Sequence, residues 1–238
     1  MKKPRTVAII QARMGSTRLP GKVLMQIGGR PLLTYLIERI SRSRTLDGIV
    51  VATTTNHRDN VIIEECERSR IPNFRGSESD VLSRYICAAR ACAADIIVRV
   101  TADNPFTDPE SIDRVVETMT ANDADYAIET NLPVGVTGEA LTRDALSFID
   151  SVASAPHWRE HVTLFAKDHP QMLRCAFLQL RPDCNRPDLS FTVDTLDEYL
   201  YAREIADEFP SSDFALKNLI EVADSAGVRV RSRACDRR

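Results

Sequence analysis

The sequence predicts an α/β fold: a Rossmann-like, mainly parallel sheet with helices on both faces. Three observations predict it. Short apolar runs alternate with helix-period segments through the first half of the chain. Helix starts are marked at Pro31, Asp80, Asp108 and the Thr195-to-Glu198 capping box. A polar loop holding two glycines leaves the first apolar run, where open α/β sheets bind their ligands.

Element by element, Val7, Ile9 and Ile10 form a buried strand. Leu32, Leu33, Leu36, Ile37 and Ile40 recur at helical spacing after Pro31. Gly48 to Ala52 reads as a second strand, Val61 to Cys66 as part of a helix, and Ile71 to Phe74 as a short strand ending at Gly76. Asp80 opens a helix with Val81, Leu82, Tyr85, Ile86 and Ala89 on one face. Asp95 to Val100 is a buried strand, and Asp108 caps a helix carrying Ile112, Val115, Val116 and Met119.

The rhythm then changes. Asp125 to Glu129 predicts a strand, and Asn131 to Gly138 a loop or hairpin. Helices are expected over 143–152 and 157–167, and strand character over 172–180. Within a single domain spanning 1–238, residues 127–185 are expected to form an inserted lid or dimerisation region. Leu189 to Val193 is expected to return to the sheet, and Tyr199, Leu200 and Ile205 to continue the helix that Thr195 opens.

A chain of 238 residues with 43% hydrophobic and 27% charged content reads as soluble and globular. Its net charge of -3 weighs against a nucleic-acid partner. The arginine-rich tail (Arg229, Arg231, Arg233, Arg237 and Arg238) reads as a solvated end. The first apolar run is too short for a signal peptide or a span, so no membrane association and a cytoplasmic location are expected. Cys66, Cys87, Cys92, Cys175, Cys184 and Cys235 form no C-x-x-C pair, which predicts reduced thiols and no zinc site.

The loop Gln11-Ala-Arg-Met-Gly-Ser-Thr-Arg-Leu-Pro-Gly-Lys22 carries the chemistry. Gly15 and Gly21 let backbone approach a ligand, Arg13, Arg18 and Lys22 supply positive charge, and Ser16 and Thr17 supply donors. A Walker A loop needs four residues between its glycines and a hydroxyl after the lysine; here there are five, and Val23 follows. The pattern reads as a different polyphosphate cradle, so a nucleotide is the expected ligand; the plainer alternative is a basic surface loop that binds nothing. Asp103 and Asp194 each follow an apolar run and are candidate holders of Mg²⁺, which prefers one or two carboxylates plus phosphate oxygens. The plainer alternatives are a turn aspartate for Asp103 and a helix cap for Asp194. Ser77, Asp80 and Arg84 either read a base or ribose or belong to helix capping by Ser79 or Asp80. Thr53 and Thr54 are either loop hydroxyls or nucleotide contacts.

The loop resembles the signature of the cytidylyltransferases that activate acidic sugars, the CMP-KDO synthetase and acylneuraminate cytidylyltransferase superfamily. The branch named for the spore-coat polysaccharide biosynthesis protein F is the nearer match. Arg75-Gly-Ser-Glu-Ser-Asp-Val-Leu, Arg99-Val-Thr-Ala-Asp, Arg159-Glu-His-Val-Thr163 and Phe191-Thr-Val-Asp-Thr195 follow in the branch's order, to about residue 205. The resemblance implies a metal-dependent nucleotidyltransferase that moves CMP from CTP to a sugar, sugar acid, phosphate or phosphonate and releases pyrophosphate. The setting would be synthesis of cell-surface polysaccharide or glycoconjugate precursors. It implies Arg13, Lys22 and Asp103 as catalytic, with Arg13 and Lys22 on the triphosphate and Asp103 and Asp194 on Mg²⁺. Gln11, Ala12, Gly15, Ser16, Thr17, Arg18, Thr53, Thr54, Ser77, Asp80, Arg84, Thr101 and Ala102 would surround the nucleotide. Glu139, Arg159 and His161 would face the acceptor, and a homodimer is implied. Relatives often carry an aspartate two residues before that glutamate, where this chain has Thr137. The competing expectations are a guanylyltransferase acting on a sugar phosphate and a nucleotide-sugar-binding protein without transfer activity.

Overall fold

A computed structural model of the chain describes residues 3–209 and 211–225. The arginine-rich tail and Cys235 lie outside the described residues. The elements are β1 (Thr6–Gln11), a two-residue pair β2 (Gln26–Ile27) and β3 (Arg30–Pro31), α1 (Leu32–Ile40), β4 (Gly48–Thr54), α2 (Asn60–Arg68), β5 (Asn73–Gly76), α3 (Val81–Ala91), β6 (Ile96–Thr101) and α4 (Pro109–Ala121). They continue as β7 (Tyr126–Glu129), β8 (Glu139–Thr142), α5 (Arg143–Val152), α6 (Pro156–Glu160), α7 (Leu164–Asp168), β9 (Cys175–Leu178), α8 (Leu196–Asp207) and α9 (Leu216–Ser225).

Seven strands make the main sheet in the order β5-β4-β1-β6-β8-β7-β9. β5, β4, β1 and β6 run parallel, β8 is antiparallel to both neighbours, and β9 is parallel to β7. Both faces of β1 are buried, which explains its unbroken apolar run. Ala8 and Ile10 meet Leu33, Leu36 and Ile40 of α1 together with Ile112, Val115 and Met119 of α4. Val7 and Ile9 belong to a second core with Leu82, Tyr85 and Ile86 of α3 and Ile149 of α5. This alternation across a strand places helices on both faces.

The chain leaves β1 toward β4 and β5, then returns to β6 on the other side of β1. The strand order therefore reverses between β1 and β6. A crevice opens at that reversal, outside the C-terminal ends of the two strands. The glycine loop leaves β1 there, and the Asp103 turn leaves β6 beside it.

Three expectations change. Residues 189–193 form no strand of the main sheet: they make one bridge to Val134 and hydrogen bonds to the loop after β7. The helix expected over 157–167 divides into α6 and α7, broken between Glu160 and Leu164. The stretch 127–185, expected as an insertion, contributes most of β7 and all of β8 and β9 to the main sheet. Its weak strand patterning reflects length, since these strands are four residues each. A third core joins Phe106, Phe191, Val193, Tyr199 and Ile205 to Leu219 of α9.

Candidate active site

The loop after β1 is shaped by few contacts. Met14 O accepts from Ser16 N and Gly21 N, both at 3.0 Å, which folds the loop on itself. Gly21 adopts φ 75°, the left-handed region that suits glycine, and launches the short 3₁₀ turn that carries Lys22. Met14 N donates to Asp59 Oδ1 at 2.8 Å. Asp59 is fully buried and also accepts from the Thr54 hydroxyl. It is a buttress that sequence reasoning missed, because nothing in His57-Arg-Asp59 marks a carboxylate forty-five positions from its partner.

The two aspartates converge on one lysine. Lys22 Nζ donates to Asp103 Oδ2 at 3.0 Å, to Asp194 Oδ1 at 2.8 Å and to Val193 O at 2.7 Å. Arg18 Nη2 lies 2.8 Å from Asp194 Oδ2. Backbone bonds hold this arrangement: Val193 N donates to Asp103 O at 2.8 Å. The capping box of α8 fixes the other side, with Glu198 Oε2 accepting from Asp194 N and Thr195 N at 2.8 Å each. Burial alone would raise the Asp194 carboxyl, but Lys22 and Arg18 outweigh it and hold it below its ordinary value.

Around this centre lies a cleft of about 620 Å³. Gln11, Ala12, Arg13, Ser16, Thr17, Arg18, Lys22, Thr101, Ala102, Asp103, Asp194 and His161 are among the residues that line it. Arg13 is exposed and makes no ion pair among the described residues, so its guanidinium is free for a ligand. Gln11, Ala12, Arg13 and His161 also border a chamber of about 240 Å³ closed by Glu78, Ser79, Val81 and Arg84 at the start of α3. On the opposite side, Arg99, Asn104 and Thr192 lead to a space of about 410 Å³ bordered by Glu139 and Lys167.

Several buried polar atoms along this path have no partner among the described residues: Gln11 Oε1, Arg84 Nε, Arg99 Nε and Asn104 Oδ1. Each such atom costs about 1–3 kcal/mol when left unmet. Their concentration along one cleft suits a polar ligand.

Other expected contacts fall elsewhere. β4 extends through Thr53 and Thr54, so both side chains are buried within the sheet region; Thr53 Oγ1 has no partner, and Thr54 bonds Asp59. Neither lines the cleft. Gly15 faces the Arg58 guanidinium outside it, where an added Cβ would meet Arg58 Cζ at 2.7 Å. Ser77 Oγ accepts from Asp80 N at 3.0 Å, and Asp80 caps α3 through Ser83 N at 2.9 Å, so both serve the helix start. Arg159 pairs with Asp80 at 2.7 Å and with Asp150 at 2.9 Å. Its guanidinium is thus tethered between the start of α3 and α5.

Glu139 borders the space of about 410 Å³, but its carboxylate is occupied. Arg99 Nη1 and Lys167 Nζ each approach it at 2.9 Å, and the Tyr126 hydroxyl donates at 2.5 Å. Burial pushes the carboxyl up, yet these three partners bring it down to about 2. Arg99, Tyr126 and Lys167 were not expected from the sequence. Thr137 borders the same space, and its hydroxyl lies 3.0 Å from Ser111 Oγ.

The residues suit Mg²⁺. Two carboxylates meet at one cation, while no group of three or more His, Cys, Asp and Glu that could hold a metal gathers among the described residues. A divalent ion here would take phosphate oxygens as its further ligands, which matches the habit of Mg²⁺. No helix among the described residues is long and apolar enough to cross a membrane. The five described cysteines are free.

Comparison with known proteins is consistent with this geometry. The sequence model of the family described as cytidylyltransferase matches residues 7–221. The spore coat polysaccharide biosynthesis protein SpsF of Bacillus subtilis is 37% identical over 196 residues, covering 80% of this chain and 82% of its own. A cytidylyltransferase structure from Leptospira borgpetersenii superposes with a TM-score of 0.90 at 28% identity, over 97% of this chain and 99% of that one. The structure of CMP:2-keto-3-deoxy-manno-octonic acid synthetase complexed with CTP shares the fold, with a TM-score of 0.67 at 17% identity over 86% and 100% of the two chains.

Proposed function

The chain belongs to the cytidylyltransferase family, and from that premise we propose that it transfers CMP from CTP to a small sugar-like, phosphate or phosphonate acceptor, with Mg²⁺ held by Asp103 and Asp194. The observation that carries this reading is the convergence of both carboxylates on Lys22 inside a cleft lined by Arg13, Ser16, Thr17 and Arg18. The likeness to a spore coat polysaccharide biosynthesis protein supports a role in making surface polysaccharide precursors.

In this reading the triphosphate lies along the loop after β1. Arg13, which has no ion partner among the described residues, takes up phosphate charge, and Ser16 and Thr17 orient the chain of phosphates. The base occupies the smaller chamber, where Gln11 Oε1 is an unpaired acceptor and Arg84 Nε an unpaired donor. The acceptor approaches from the side of Arg99, Asn104 and Thr192.

The acceptor oxygen forms a bond to the α-phosphorus. The bond from that phosphorus to the bridging oxygen breaks, and pyrophosphate leaves with the electron pair. Transfer of this kind depends on alignment and charge neutralisation. Bound Mg²⁺ would supply charge neutralisation at the phosphates. A phosphate, phosphonate or carboxylate oxygen arrives ionised and needs no base, whereas a sugar hydroxyl must lose its proton; exposed His161 at the cleft is the available group.

A homodimer accompanies this reading. β9 is an edge strand, and its surroundings expose Met172, Phe177 and Leu180. Sedimentation equilibrium giving a monomer at all concentrations would remove that part. The activity itself is tested by pyrophosphate release from CTP, GTP, ATP and UTP, each with pooled acceptors. CTP is expected to give the fastest release. Release from GTP alone would instead support a guanylyltransferase, and no release from any nucleotide would overturn transfer.

A further inference from the structure

Lys22 touches both candidate metal ligands and has nothing left to offer. An ammonium carries three N–H donors, and Lys22 directs them to Asp103 Oδ2, Asp194 Oδ1 and Val193 O at 2.7–3.0 Å. Its side chain is only 8% exposed, so little of it meets solvent. Sequence reasoning placed this lysine on the triphosphate, yet the side chain lies where the two carboxylates meet.

We propose that the Lys22 ammonium is a placeholder for the divalent cation: it holds Asp103 and Asp194 together in the nucleotide-free site and yields that position only when the incoming nucleotide provides phosphates to receive it. This rests on the reading of Asp103 and Asp194 as Mg²⁺ ligands.

The physical argument is one of charge balance. Two carboxylates drawn together repel unless a cation sits between them. Lys22 supplies that cation within the chain. A divalent ion arriving alone must evict a nearly buried ammonium and leave it without an anionic partner, which is costly. A triphosphate removes the cost, because the displaced ammonium moves onto phosphate oxygens. Gly21, in a left-handed conformation, and the 3₁₀ turn after it place Lys22 on the same loop as Arg13, Ser16 and Thr17, so a change of side-chain rotamer within the cleft suffices. Metal and nucleotide then strengthen each other's binding by the same factor, with no contact between distant parts of the protein.

The test is Mn²⁺ binding to the full chain, followed by electron paramagnetic resonance of the free ion. It is run without nucleotide and with a CTP analogue carrying a methylene bridge between the α- and β-phosphorus. Wild type should bind Mn²⁺ weakly alone and about tenfold or more tightly with the analogue. Lys22→Met should bind Mn²⁺ alone about tenfold more tightly than wild type, and the analogue should add less than about threefold. Lys22→Arg, which keeps a cation, should remain close to wild type without nucleotide. Asp103→Asn in the Lys22→Met background should remove the gain. Lys22→Gln replaces Lys22→Met if circular dichroism shows that the methionine variant does not fold. Lys22→Met or Lys22→Gln binding Mn²⁺ alone no more tightly than wild type would overturn the placeholder role while leaving transfer intact. No gain for wild type with the analogue would overturn the metal reading on which the proposal rests.

Discussion

Glu139→Gln removes the one negative charge at the centre of a buried cluster. Its carboxylate meets Arg99 at 2.9 Å, Lys167 at 2.9 Å and the Tyr126 hydroxyl at 2.5 Å. Burial favours the protonated acid, but the three partners win and bring the carboxyl from 4.5 to about 2. That gap corresponds to about 3 kcal/mol of stability at pH 7. Removing one partner of a buried ion pair independently suggests about 3–5 kcal/mol. The lower end applies, because Lys167 is 39% exposed and regains water when released. The folded-state value is depressed, so the contribution is complete above 4.5 and is lost as pH falls through about 2. Urea unfolding of wild type and Glu139→Gln should therefore differ by about 3 kcal/mol at pH 7 and by about 1 kcal/mol near pH 3. A difference that stays constant between these pH values would refute the electrostatic argument. So would a difference under about 1 kcal/mol at pH 7.

Four further substitutions test the scaffold of the site. Asp59→Asn leaves either Met14 N or the Thr54 hydroxyl without its carboxylate acceptor. It should cost about 1–3 kcal/mol in urea unfolding and raise KM for CTP by loosening the loop; unchanged stability and KM would show that Asp59 is no buttress. Gly21→Ala forces a side chain into φ 75° and toward Met14 Cε at 3.2 Å, at a cost of about 1–2 kcal/mol. Gly15→Ala meets only the movable end of half-exposed Arg58 and should cost less than about 0.5 kcal/mol; the reverse ranking would contradict this account of the loop. Arg159→Ala should lower stability by less than about 1 kcal/mol, since its partners Asp80 and Asp150 are partly exposed, and should leave the acceptor KM unchanged. A large rise in that KM would return Arg159 to the acceptor side.

Much of the fold was legible because burial leaves a local mark. The apolar run of β1, the helical spacing in α1, α3 and α4, and the caps at Asp80, Asp108 and Thr195 all stand where periodicity and capping chemistry place them. The site was legible in part for the same reason, since Arg13, Ser16, Thr17, Arg18, Lys22, Asp103 and Asp194 each lie in or beside a turn at an element end. Thr53 and Thr54 misled because nothing in Thr53-Thr-Thr55 shows that β4 continues through them. Residues 189–193 misled for the opposite reason: an apolar run predicts burial, and burial in the third core looks the same as burial in a sheet.

The sequence alone determined the α/β class and the chemistry of the loop, because alternation, capping and the clustering of Arg, Lys, Gly and hydroxyl residues are properties of neighbours along the chain. Only the tertiary structure decided what each group faces. Lys22 meets Asp103 and Asp194 across 81 and 172 positions, Asp59 holds Met14 across 45, and Arg99 claims Glu139 across 40. The competing partner for each charge is set by packing in three dimensions, so local patterns name the charged groups without pairing them. That is why the loop could be read as a phosphate cradle while the meeting of its lysine with the two aspartates could not.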